Sequence, residues 1–400
     1  MKGTLATLLV SVLVLAACGT ADPTATPIGT SSPTASPPTV EPSPTAEPTP
    51  TASPTERPMP TVVFEPAEVP DPIQNTAVAT VVPGGDGLVA LVFDGTWGTR
   101  VWTSADGRAW RDVTPSGFEH IGLAGATVHD GRIVAVGRGD TINIEAETAA
   151  ALVSDDGLTW REAVGADDEV LSGQLISVLS TDDGLVAVGG APGADAAGFW
   201  RSDDGETWER VGEPIPAAFL WAITEGGPGL VAVGWRRDPE PSTAVWLSSD
   251  GGATWELAPD PEQYAGFEAT DVVAAPSGTL VMVGGDVFEG GGRIWRSTDD
   301  GQTWSVAEVE GGLAGSTTRS VVATPIGLIA VGAIGMDAAA WISTDDGATW
   351  QPFGEVVPEA YFDDALVTDA GLILHGATQT GTLATGIDAR AMTWSATLGE

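Results

Sequence analysis

This sequence predicts an all-β chain whose body closes into a seven-bladed β-propeller, each blade a four-stranded antiparallel sheet. Three observations predict it. A tryptophan recurs at positions 110, 160, 208, 255, 304, 350 and 394, at spacings of 50, 48, 47, 49, 46 and 44 residues. A glycine-bounded phrase precedes each, tightest in Gly184–Gly189, Gly229–Gly234 and Gly327–Gly332, with looser versions from Gly87, Gly131, Gly278 and Gly371. Between these marks the chain is β-branched and turn-rich, and no helical periodicity competes. A four-stranded unit repeated at this period buries its faces only against its neighbours, and seven copies give seven blades.

The first element is an address. Met1-Lys2 is a short positive start, and Leu5 to Ala17 is apolar except for Thr7 and Ser11. That run is too short to span a bilayer comfortably and has the length of a signal-peptide core. Leu15-Ala16-Ala17-Cys18 resembles a bacterial lipobox, with the chain's one cysteine where lipidation needs it. Residues 1–17 are therefore expected to be a lipoprotein signal peptide, and Cys18 a lipid anchor to the bacterial cell envelope, outside the cytoplasm. Gly19 follows, so no acidic inner-membrane retention signal of the Asp type is read. One cysteine also excludes an intrachain disulfide. Residues 18–72 follow as a stalk, since 15 of the 29 prolines fall there among Thr, Ser and Ala. Such a composition buries too little apolar surface to offset its ordering entropy.

The propeller is expected over residues 73–400. In the third unit, strand A is Gln174 to Ser180, B is Leu185 to Gly189, C is Ala197 to Ser202 and D is Thr207 to Val211. The first and last units read as complete in themselves, which leaves ring closure open, with Val62 to Phe64 as one candidate latch. The C–D hairpins carry a motif ending in the recurrent tryptophan: SADGRAW, SDDGLTW, SDDGETW, SSDGGATW, STDDGQTW and STDDGATW. The seventh copy, Thr385 to Trp394, keeps only Asp388 and Thr393-Trp394. These motifs resemble the Asp-box repeats of bacterial neuraminidases, shared by sortilin-type receptors, glycan hydrolases and photosystem II assembly factors. The residues themselves read as structural. Asp106, Asp156, Asp204, Asp250, Asp299 and Asp345 accept backbone N–H groups in a tight turn, glycine takes a positive φ, and tryptophan packs over the hairpin.

Composition limits function. Asp and Glu number 55 against 16 Lys and Arg, a formal charge of −39, so nucleic acid is excluded as a partner class. The three histidines are scattered and the cysteine is committed, so neither a metal nor another cofactor is expected. Function is sought in residues that the repeat does not require. Trp97, Arg100, His120, Arg138, Trp221, Trp235, Arg236, Arg237, Tyr264, Arg293, Arg319 and Tyr361 are all assigned to B–C or D–A loops, which share one face. Aromatic and arginine side chains gathered there mark a binding surface, with channel-mouth plugs and local ion pairs as the bland alternative. A sialidase would need an Arg-Ile-Pro motif, absent here, and six blades rather than seven. The expectation is a monomeric binding propeller for an envelope protein or glycan, without catalysis. The alternative is an extracellular carbohydrate hydrolase.

Overall fold

The computed structural model describes residues 62–398, apart from 71–73, 97, 140–148, 166–172, 191–195, 238–240, 260–263, 287–290 and 383–385. The segment expected to be a signal peptide, Cys18, most of the expected stalk and Trp97 lie outside the described residues. Seven sheets follow in order around a ring: residues 77–112, 122–162, 174–216, 218–257, 267–306, 316–352 and 360–396. Within each, strands run A, B, C, D from the axis outward, and strand A touches strand A of the blades on either side. The third unit is built as expected, with A at Gln174–Thr181, B at Gly184–Gly190, C at Ala196–Ser202 and D at Thr207–Pro216.

The apolar core is divided into seven clusters, each filling the gap between two neighbouring blades. Strand-C tryptophans dominate these gaps. Trp102, Trp200, Trp246, Trp295, Trp341 and Trp394 all stand opposite the strand-B residue two places before the end of the phrase, and Leu152 takes the place in blade 2. This corrects the reading of Trp394, which belongs to strand C and not to a seventh hairpin motif.

The six complete hairpins share one bonding scheme. In each, the indole N–H donates to the carbonyl of the motif glycine, as in Trp208 to Gly205 at 3.0 Å. The motif aspartate accepts backbone N–H groups, as Asp156 does from Leu158 and Thr159 at 2.8 and 2.7 Å. The turn also knits the ring. A Cβ on Gly205, at φ 75°, would stand 2.7 Å from Val134 of the preceding blade.

Ring closure comes from the N-terminal side. Blade 7 holds only three strands from the C-terminal part of the chain, and Glu65–Pro66 supplies its fourth, antiparallel to Gly386–Ala396. Val62 and Phe64 are buried between blades 6 and 7, where the Phe64 ring meets Phe362 at 5.2 Å and Phe353 at 6.3 Å. Beyond it, Glu68 exchanges backbone bonds with the first hairpin, so one segment touches blades 6, 7 and 1. The last unit is thus incomplete in itself, and residues 62–70, expected in the stalk, belong to the propeller.

Candidate functional site

Strand A of every blade carries the same irregularity. The register against strand B slips once, leaving one extra residue in each strand: Ala79, Ala124, Ile176, Trp221, Thr270, Arg319 and Asp363. A bulge of this kind re-aims side chains. Its partner on strand B explains the repeated phrase. In blades 2 to 7 the residue opposite the start of the bulge is the last glycine of the phrase. A Cβ on Gly332 would lie 1.9 Å from the Thr317 carbonyl oxygen, and one on Gly234 2.0 Å from that of Phe219. Blade 1 carries Val92 there.

The seven bulges stand at one level of the channel wall and divide it in two. Blades 1 to 3 present Ala79, Ala124 and Ile176; blades 4 to 7 present Trp221, Thr270, Arg319 and Asp363. The second half is tied together across blades. Trp221 Nε1–H donates to Glu268 at 2.5 Å, the Thr270 hydroxyl to the Arg319 carbonyl at 2.8 Å, and Arg319 Nη1 to Asp363 at 2.9 Å. One residue further along the strands, Ser320 bridges Asp271 and Asp364, and His375 stands 3.6 Å from Asp364. The Val78 carbonyl, 3.1 Å from His375 Nδ1, can only accept, so that nitrogen carries the hydrogen.

Burial governs the electrostatics. It raises Asp271 to about 7, with the charge of Asp364 adding to it. Burial also raises Asp363 in spite of Arg319, and Glu268 in spite of the Trp221 bond. Asp364 goes the other way: burial opposes its ionisation, but His375, Ser320 and the Ala365 N–H outweigh it. The Asp364 side chain keeps 43% of its surface open. Tyr361 is pushed upward by burial and by Asp363.

Three arginines lie over aromatic rings: Arg237 and Arg293 at the upper ends of blades 4 and 5, and the bulge residue Arg319. Arg237 lies 4.9 Å from the Trp235 ring, Arg293 3.8 Å from Phe267, and Arg319 5.1 Å from Tyr361. They belong to blades 4, 5, 6 and 7. Phe219 adds a second ring beside Trp221 at 4.6 Å.

The residues nominated from the sequence are therefore distributed as follows. Trp221, Arg319 and Tyr361 stand on strand A, not in D–A loops, because the strands begin earlier than the glycine signals imply. Trp235, Arg236 and Arg138 end strands B, and Arg100 and Arg293 start strands C. Arg237 alone of the blade 4 trio lies past its strand. Arg100 is held by Asp112 at 2.8 Å, and His120 is exposed on a 3-10 turn. Tyr264 is a correction: it is 1% exposed, edge-on to Trp295 in the core between blades 4 and 5, and it faces no ligand. Sequence reasoning missed Glu268, Asp271, Ser320, Asp363, Asp364 and His375 as a wall. The phrase-ending glycine is the signal that marks its level.

None of the nominated residues lines the two cavities described. One of about 550 Å³ opens at the A–B turns of blades 2 to 4, beside Asp130, Asp183 and Glu225, and one of about 270 Å³ lies near Pro325 and Asp346. Among the described residues no three His, Cys, Asp or Glu side chains are arranged to hold a metal ion, and no helix is long and apolar enough to cross a membrane.

No protein-family model matches the chain, and no curated protein matches its sequence. Solved structures resemble it in fold. A polysaccharide lyase, Uly1, aligns over 79% of this chain and 90% of its own at 11% identity and a TM-score of 0.52. The GH74 xyloglucanase from Xanthomonas campestris aligns over 76% of this chain and 51% of its own, at 16% identity and a TM-score of 0.48. At such identities the likeness is one of architecture, and architecture hosts many functions.

Proposed function

We propose that the chain is a lipid-anchored, extracytoplasmic propeller of the Asp-box type that binds a glycan across the upper ends of blades 4 to 7 and performs no reaction on it. The observation that carries this reading is the row of three arginines stacked on Trp235, Phe267 and Tyr361. A stacked guanidinium is a fixed fork of donors beside a flat apolar ring, and a sugar offers the complement: an apolar face and a rim of hydroxyls. The strongly acidic remainder of the chain disfavours polyanions, so the glycan is neutral or weakly charged.

The test is a glycan array run with the parent and with the triple variant Trp235→Ala, Arg236→Ala, Arg237→Ala. The repeat does not require the trio, so the variant should melt within a few degrees of the parent while losing at least tenfold in affinity. A variant that binds every recovered ligand unchanged refutes the site, and protein partners recovered from envelope extract in place of glycans refute the ligand class. The anchor is tested separately. Labelled palmitate should enter the parent and not Cys18→Ser, which should leave the membrane fraction.

One observation favours the hydrolase reading: Asp271 and Asp364 have their proton affinities driven apart, as an acid and its ionised partner need. A glycosidic bond must lie between two such groups, and here the Ser320 hydroxyl fills that gap. Release of reducing ends from any bound glycan would nevertheless overturn the non-catalytic reading.

A further inference from the structure

Ser320 stands on strand A of blade 6, directly after the bulge residue Arg319, and is buried. Its Oγ lies 2.7 Å from Asp271 Oδ2 of blade 5 and 2.5 Å from Asp364 Oδ1 of blade 7. A hydroxyl has one hydrogen and donates it once. With both carboxyls ionised, one of the two contacts would set a carboxylate oxygen against a hydroxyl lone pair, with a second anion behind it. Both contacts are hydrogen bonds only if one carboxyl is protonated and donates to Ser320 while Ser320 donates to the other.

The surroundings choose which. Asp364 accepts the Ala365 N–H at 2.7 Å, and His375, whose Nε2 stands 3.6 Å from it, favours its anion when that nitrogen also carries a hydrogen, as in the imidazolium. Asp271 accepts the N–H groups of Val272 and Val321 at 2.8 and 2.9 Å. The charged group that acts on it is Asp364 from blade 7, across the Ser320 hydroxyl. Arg319 is engaged by Asp363, so the balance around Asp271 is acidic and the proton rests there.

We propose that Asp271, Ser320 and Asp364 form a clasp that holds one proton between them, joins blades 5, 6 and 7 at the channel wall, and loosens when that proton leaves. Each clasp residue directly follows a bulge residue, Thr270, Arg319 or Asp363, so the polar half of the wall is carried on it. The sign follows from linkage. The folded chain keeps on Asp271 a proton that the unfolded chain, with an ordinary carboxyl near 3.8, has lost. The contribution of the clasp is full below about pH 4, declines as pH rises, and is gone once pH passes the folded midpoint near 7.

The experiment uses the full chain with aspartate carboxyl carbons labelled with carbon-13, titrated from pH 3 to 9, in the parent, Asp271→Asn and Asp364→Asn. One carboxyl resonance should titrate near neutrality and vanish in Asp271→Asn. In Asp364→Asn the same resonance should move at least one pH unit lower, because the neighbouring charge is gone and Ser320 is free to donate to Asp271. Melting points provide the second readout: the fall from pH 5 to pH 8 should be smaller in Asp271→Asn, whose amide is neutral throughout and still donates to Ser320. If every aspartate titrates below pH 5, or Asp271→Asn leaves both the neutral resonance and the melting slope unchanged, the clasp does not exist. Should Asp271→Asn fail to fold, the shift in Asp364→Asn decides: a resonance near neutrality that does not move refutes the shared proton.

Discussion

Phe64→Ala tests how the ring is held. The closing strand makes only two paired positions, Glu65 with Ser395 and Pro66 with Trp394, so its grip rests on the side chains before them. Phe64 is 6% exposed, and its ring sits edge-on between Phe362 and Phe353. Removing such a ring from a packed site costs about 3–5 kcal/mol, since the transfer and cavity contributions add. A fold of this size has an unfolding entropy of roughly 0.7 kcal/mol per degree, at ~2.1 cal/mol/K per residue, so the melting point should fall by about 4–7 °C. Val63 is the internal control. It is next in sequence but 54% exposed, and Val63→Ala should shift stability by no more than about 0.5 kcal/mol, under ~1 °C. Differential scanning calorimetry on both variants distinguishes the two residues. If Phe64→Ala melts with Val63→Ala, the segment is an ornament and blade 7 stands on three strands.

Three further outcomes are expected. Arg319→Ala strands the carboxyl of Asp363 in the channel wall and should cost about 3 kcal/mol, while adding Asp363→Asn should recover part of it; denaturant melts of the four proteins in a double-mutant cycle measure the coupling. Gly332→Ala puts a Cβ against the Thr317 carbonyl and should destabilise by about 2–3 kcal/mol in the same melts, through displaced backbone. Asp156 is held at about 2 by the Thr159 and Leu158 N–H groups. Its contribution is therefore present above pH 4 and lost as pH falls towards 2. Asp156→Asn should flatten the acid limb of the melting profile between pH 4 and 2 while leaving its neutral limb in place.

The parts of this fold legible in the sequence are those where one residue type has a single job in six of the seven blades. The motif tryptophans and phrase glycines have such jobs, and they report the period, the strands and the number of blades. Trp394 shows the limit: its spacing of 44 from Trp350 imitates the hairpin period, while its true equivalent, Trp341, is a strand C residue. The closing segment was legible at Val62–Phe64, but not the pairing that completes blade 7, because Glu65-Pro66 has no strand pattern and sits in proline-rich sequence. The channel wall was hidden for another reason. A bulge residue has no type of its own, being alanine in blade 1 and arginine in blade 6, and Asp271 or Asp364 reads as an ordinary polar position until a neighbouring blade closes over it.

That a strand near residue 65 pairs with one near residue 395 also fixes an order of events in making the molecule. The closing strand is synthesised first and can be used last, after the whole circumference has been laid down. Until then, blades 1 and 6 each present an uncovered apolar flank, and the loop to be closed is nearly the full length of the ring, the slowest kind of contact to find. A stalled or shortened chain lacking its last fifty residues thus leaves both flanks sticky at once. Chaperone dependence and aggregation should concentrate in that interval, before the two ends meet.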